Sequence, residues 1–119
     1  MLLTLRIKDL RLRAVIGLNE WERDKKQDVT INILFRYEAS RALERDDADG
    51  SVDYKTVTKL VIAEVEKTSF RMLESLAVFI LELVMREPRI LEAEVEVDKP
   101  HSLRFADSVS ASASARRQE

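Results

Sequence analysis

Cysteine is absent from this sequence of 119 residues, and histidine, glycine and proline are scarce: one, two and two residues. Without cysteine there is no disulfide, no thiolate nucleophile and no zinc site built on sulfur. With His101 as the single histidine, one chain cannot assemble a metal site from two imidazoles, and no metal is expected. Gly17 and Gly50 are too few for the glycine-rich loops that cradle phosphates. No apolar run approaches the roughly 20 residues of a membrane span, and the first residues lack an apolar signal segment. A soluble, cytoplasmic chain with no membrane partner is therefore expected. Neither sign of charge dominates: 20 basic against 22 acidic residues leave a net charge of −2. That balance argues against nucleic-acid binding, whose affinity rests on neutralising phosphates.

What is present is an ordinary globular composition, 45% hydrophobic and 35% charged. The length predicts one domain over residues 1–119, with a core that needs no staples. Any catalysis must use carboxylates, lysine, tyrosine and bound water, with no cofactor expected.

Hydrophobic periodicity then divides the chain. Leu3, Leu5 and Ile7 alternate with Thr4, Arg6 and Lys8, and the phase slips by one residue at Lys8-Asp9. From there Leu10, Leu12, Ala14 and Ile16 carry the apolar face. A slip of one inside a long alternating strand predicts a β-bulge. Gly17 ends the strand, and Leu18 to Gln27 reads as a polar loop in which Trp21 packs beneath its own chain. A second strand alternates from Val29 to Glu38, antiparallel to the first. Ser40 to Asp47 has the character of a short helix. Asp53 suits a helix N-cap, opening a helix from Tyr54 to Glu66, and Ser69 is read as the next cap. The second helix places Leu73, Leu76, Ala77, Ile80, Leu83 and Val84 on one stripe, and Pro88 ends it. Two further strands follow, Leu91 to Asp98 and Arg104 to Ala115. The order β-β-α-α-β-β predicts an α+β domain: a four-stranded antiparallel sheet with two helices on one face. Its two open edges could be closed by pairing with other copies in a ring.

Taken singly, the polar residues say little. Lys99 at a strand end reads as solvated, Tyr54 as a packing residue, and Glu22 as a loop carboxylate. Glu74 borders an apolar stripe and by itself reads as solvated; its alternative is a partly buried carboxylate that holds two adjacent N–H donors of a heterocycle. Glu92, Glu94, Glu96 and Asp98 stand about 6.5–7 Å apart along a strand, too far to wrap one cation, and read as a solvated or ion-paired face.

As an ordered set the segments are distinctive. Ile16-Gly17-Leu18-Asn19-Glu20-Trp21-Glu22, Val52-Asp53-Tyr54, Leu73-Glu74 and Asp98-Lys99 occur in the order of the dihydroneopterin aldolase family, which the chain resembles along essentially its whole length. Arg6 to Arg13, Tyr54 to Lys59 and Asp98 to Ser110 resemble that family's epimerase branch.

The resemblance implies a tunnelling fold whose ββααββ units form rings, typically octamers of two stacked tetramers, with active sites between subunits. It implies epimerisation at C2′ of 7,8-dihydroneopterin triphosphate by retro-aldol and aldol steps. Pro100 and the Trp21-Glu22 pair are closer to the aldolases, which keeps open an aldolase releasing 6-hydroxymethyl-7,8-dihydropterin and glycolaldehyde, a bifunctional enzyme, or a non-catalytic pterin-binding ring. By the same resemblance Lys99, Tyr54 and Glu22 are catalytic, with Tyr54 supplied by a neighbouring subunit. Glu74 and the Leu73 backbone would hold the pterin, and the Val52-Asp53 backbone would flank Tyr54. His101 and Arg104 would meet the triphosphate.

Overall fold

The structure, a computed structural model, describes residues 1–118. Its elements are β1 (Leu2–Ile16), a 3-10 turn (Glu20–Glu22), β2 (Lys26–Glu38), α1 (Ser40–Arg45), α2 (Tyr54–Val65), β3 (Ser69–Phe70), α3 (Leu73–Val84), β4 (Ile90–Pro100) and β5 (Ser108–Arg116). They form an α+β fold around one sheet of order β3-β1-β2-β4-β5.

The phase slip in β1 is a bulge. Leu3, Leu5 and Ile7 stand opposite Tyr37, Phe35 and Ile33, whereas Leu10 and Leu12 stand opposite Ile31 and Val29. Lys8 and Asp9 together face Asn32, so the apolar side chains stay on one face of the sheet throughout. Asp9 takes the left-handed conformation, at φ 53°. Its N–H donates to Asn32 Oδ1 at 2.9 Å, which gives a polar partner to the group that the bulge removes from the ladder.

β2 carries the centre of the core. Val29, Ile31, Ile33 and Phe35 are fully buried, with Val95 and Val97 of β4 beside Ile33 and Ile31. Against this face α2 lays Val57, Val61 and Val65, spaced four residues apart. α3 buries Leu76, Ala77, Ile80, Leu81, Leu83 and Val84. Asp53 caps α2 by accepting from the Lys55 N–H and the Thr56 hydroxyl, each at 2.9 Å. Those bonds hold its carboxyl below the usual aspartate range, the Thr56 bond foremost. The other sheet face is polar. There Glu92 lies between Arg116 and Arg36, and both pairs lower its pKa, Arg116 more strongly.

Two expectations are corrected. The sheet has five strands and is mixed, because Ser69–Phe70 pairs parallel with Val15–Ile16. Ser69 is thus a strand residue, and the N-cap of α3 is Met72 in extended conformation. A two-residue strand carries no alternation to read. What holds it is tertiary: the Gly17 N–H donates to Phe70 O at 3.1 Å, and Phe70 packs on Phe79 with ring centroids 5.5 Å apart. The helices number three among the described residues, not two: the short helix expected from Ser40 forms as α1, ends in a left-handed Asp46, and adds to the two that the ββααββ order counts. The small strand β3 matters for the site, since it draws the start of α3 beside the Gly17 loop.

Candidate active site

The loop after β1 is built around one buried carboxylate. Glu22 is the single buried charged residue among those described, at 4% exposure. Its Oε1 accepts from the Asn19 side-chain amide at 2.9 Å and the Asn19 N–H at 3.3 Å. Its Oε2 accepts from Gln27 Nε2 at 2.8 Å and Lys99 Nζ at 2.6 Å. Four donors fill the acceptor capacity of a carboxylate. Together they hold the Glu22 pKa down at about 2, with the Lys99 bond the largest cause, Gln27 next, and burial opposing. Such a group is a poor proton acceptor near neutrality. What it can do is fix the Lys99 ammonium, whose two remaining protons are left for other acceptors.

Gly17 is the position that makes room for this. A Cβ there would lie 2.3 Å from Glu22 Cδ and 2.4 Å from Oε1, and φ is +155°. Gln27 is equally specific. It stands opposite Ala14 on the apolar side of the β1–β2 pair and bonds both Glu22 and Ile16 O, the latter at 3.1 Å.

Two hollows meet at the Glu22–Lys99 pair. A cleft of about 800 Å³ is walled by the Gly17 loop, the start of α3, Lys99 and the β5 segment Val109 to Ser112. It brings Glu22, Lys99, Leu73 and Glu74 together. Glu74 sits in the first turn of α3, where the helix dipole favours a carboxylate. It is exposed, not partly buried, and forms no ion pair among the described residues. A second hollow of about 450 Å³ shares Asn19, Glu22, Lys99 and Ser102 with the first and adds Arg13, Trp21, Lys26, Asp28 and His101. Trp21 does not pack under its loop; it is 62% exposed and forms part of this wall. A smaller hollow of about 230 Å³ on the polar sheet face, between Arg6, Lys8, Asn32 and Glu96, contains no buried charge.

The remaining sequence candidates lie elsewhere. Val52 is buried in the core, Asp53 caps α2, and Tyr54 is half-exposed outside both hollows. His101 lines the second hollow from a left-handed turn at φ 64°. Arg104 lines neither; its guanidinium lies over the Phe105 ring, 5.7 Å from the centroid. Gly17, Asn19 and Gln27 were not among the sequence candidates. A signal for Gln27 was present: continuing the Val29-Ile31-Ile33 alternation backwards puts a polar amide on the apolar face. Asn19 had a local signal too, since Asn19 and Glu22 have the three-residue spacing of a capping box.

The chain as a whole matches known proteins closely. The family model described as FolB, dihydroneopterin aldolase, matches residues 5–114. A dihydroneopterin triphosphate 2′-epimerase of Pseudomonas aeruginosa is 51% identical over 89% of this chain and 86% of its own length. The protein of that name from Escherichia coli K12 is 43% identical over 89% of this chain and 88% of its own. Among solved structures, E. coli dihydroneopterin aldolase in complex with neopterin superposes with a TM-score of 0.88 at 21% identity, over 94% of this chain and 97% of that one, which speaks for the fold. On the family match and these relatives, the chain belongs to the dihydroneopterin aldolase family.

Proposed function

We propose that the protein epimerises 7,8-dihydroneopterin triphosphate at C2′, giving dihydromonapterin triphosphate. One observation carries this reading: a single cleft holds an unpaired helix-start carboxylate, Glu74, and a lysine fixed by a buried glutamate, Lys99. The first is a group that can bind a pterin, and the second can act on its side chain. The two epimerases of P. aeruginosa and E. coli support the choice of reaction.

Glu74 accepts the pterin's amino and ring N–H groups as a bidentate pair, beside the first-turn N–H groups of α3, which lack intrahelical partners. The dihydropterin side chain then reaches Lys99. A proton leaves the C2′ hydroxyl, the C1′–C2′ bond breaks, and its electron pair moves through C6 to N5, which takes up a proton. The pterin's own C=N bond is the electron sink, so no Schiff base to lysine is needed. Lys99, with Tyr54 of a neighbouring subunit and an ordered water, moves these protons. Glu22 orients Lys99. The freed aldehyde turns its other face and adds back, which inverts C2′.

The same pair breaks the same bond in an aldolase. Escape of the aldehyde before re-addition would give 6-hydroxymethyl-7,8-dihydropterin, and this is the second reading. The edges of the sheet support a ring assembly. Outside the β3 contact, the outer edge of β1 pairs with nothing among the described residues, and neither does that of β5. Edge-to-edge pairing closes a ring, two rings stack into an octamer, and the exposed Tyr54 is presented to the next subunit's cleft. A soluble, cytoplasmic enzyme fits this reading; no helix among the described residues is long and apolar enough to cross a membrane.

Product analysis tests the proposal. After incubation with dihydroneopterin triphosphate, dephosphorylation and oxidation, chromatography should find mainly monapterin. Mainly 6-hydroxymethylpterin would establish the aldolase reading, and unchanged neopterin would refute both.

A further inference from the structure

We infer that the 450 Å³ hollow beside Glu22–Lys99 is the phosphate subsite, with Arg13 and Lys26 as its main cations. The inference rests on the proposed reaction and concerns a part of the site that reaction leaves unassigned. If the pterin ring lies in the larger cleft against Glu74, and C2′ reacts at Lys99, then the substituent on C3′ must continue past Lys99. The second hollow opens there, sharing Asn19, Glu22, Lys99 and Ser102 with the first.

Its chemistry suits a polyanion. Arg13 of β1, Lys26 at the start of β2 and His101 in the β4–β5 turn converge on it, beside Lys99. Two carboxylates oppose them. Glu22 is already matched by Lys99 at 2.6 Å. Asp28 stands 3.9 Å from Arg13 Nε, a solvent-exposed pair worth little. The Arg13 guanidinium is itself positioned, donating from one terminal nitrogen to Lys26 O at 2.9 Å. Its side chain is 65% exposed, which leaves its other N–H groups available to phosphate oxygens. Register explains the grouping: Arg13 pairs with Asp28 and Val15 with Lys26 on the polar face, while Gln27 between them turns inward to Glu22. One short run of β2 thus serves both the reactive pair and the cationic cup. Arg104, the sequence candidate for this role, lies outside the hollow.

The test compares neopterin and neopterin triphosphate binding by pterin fluorescence for the wild type, Arg13→Ala, Lys26→Ala and Arg13→Lys. Both positions are exposed, and circular dichroism verifies folding. The wild type should favour the triphosphate, with the preference falling as salt screens the charges. Each alanine should reduce the ratio of the two affinities about tenfold, the scale of one charge-assisted contact, and Arg13→Lys should recover part of it. Inorganic triphosphate should displace neopterin triphosphate more effectively from the wild type than from either alanine variant. Equal weakening of both ligands, or an unchanged ratio, would overturn the subsite while leaving the pterin site standing. A wild type that binds neopterin without preferring the triphosphate would do the same. Failure to bind either ligand would remove the proposed function itself, and the subsite with it.

Discussion

Lys99 and Glu22 lie 77 residues apart in the chain, yet their side chains meet at 2.6 Å with 13% and 5% of their surface exposed. A buried pair of this kind has a particular energetic signature. Its net contribution is small because desolvation offsets attraction, whereas removing one partner leaves an uncompensated buried charge.

Glu22→Gln and Lys99→Met should therefore each destabilise the protein by about 3 kcal/mol, while the double variant should recover much of that loss. Urea unfolding of all four proteins measures the coupling. Activity should behave differently and stay lost in the double variant, because its stability no longer depends on the lysine but its chemistry does.

Acid should act on the same pair. The Glu22 carboxyl has its pKa lowered from 4.5 to about 2 in the folded protein. The native state then binds fewer protons than the unfolded chain in that interval, so stability rises with pH across it. The contribution is complete above about pH 4.5 and is lost as pH falls through about 2. Its full size is about 3 kcal/mol by linkage. Glu38 titrates in a similar range through the chain's amino terminus and Ser40, so the informative quantity is the difference between wild type and Glu22→Gln. That difference should shrink steadily from pH 5 to pH 2 in thermal unfolding.

Gly17→Ala should disturb the site without replacing any ionisable group. The added methyl falls within 2.3–2.6 Å of the Glu22 carboxyl atoms. Overlap of this kind costs roughly 1–3 kcal/mol, and relief requires Glu22 to swing away from Lys99. A drop in kcat with a smaller change in KM is expected, together with a lower melting temperature.

The proposed sharing of the site between subunits predicts complementation. Tyr54→Phe and Lys99→Ala proteins should each be impaired. Ring particles refolded from a mixture of the two should regain activity, because some interfaces then carry both native residues. Additive residual rates at every mixing ratio would place Tyr54 and Lys99 of one chain in one site.

The fold was largely legible because its signals are periodic. The bulge at Lys8-Asp9 shows as a phase slip, and the apolar spacing of α3 survives nearly unchanged. β3 was not legible, since two residues held by a Gly17 hydrogen bond and a Phe70–Phe79 contact leave no pattern. The site divides in the same way. Lys99, Glu22 and Glu74 were named through family resemblance, and taken singly each read as a solvated charge. The burial of Glu22 depends on Asn19, Gln27 and the missing side chain at Gly17, groups brought together by a turn and a strand register. Trp21 was misread for a related reason: the loop's one buried position is taken by the glutamate beside it, and the indole is left on the hollow's wall.

The most direct measurement is the rate of C2′ inversion of dihydroneopterin triphosphate by Lys99→Ala against the wild type, with folding and assembly verified by circular dichroism and sedimentation. A positioned proton-transfer group contributes roughly 100- to 10,000-fold, so Lys99→Ala should lose at least about 100-fold in kcat while still binding neopterin. Turnover equal to the wild type would contradict the assignment of Lys99, and with it the site built around Glu22.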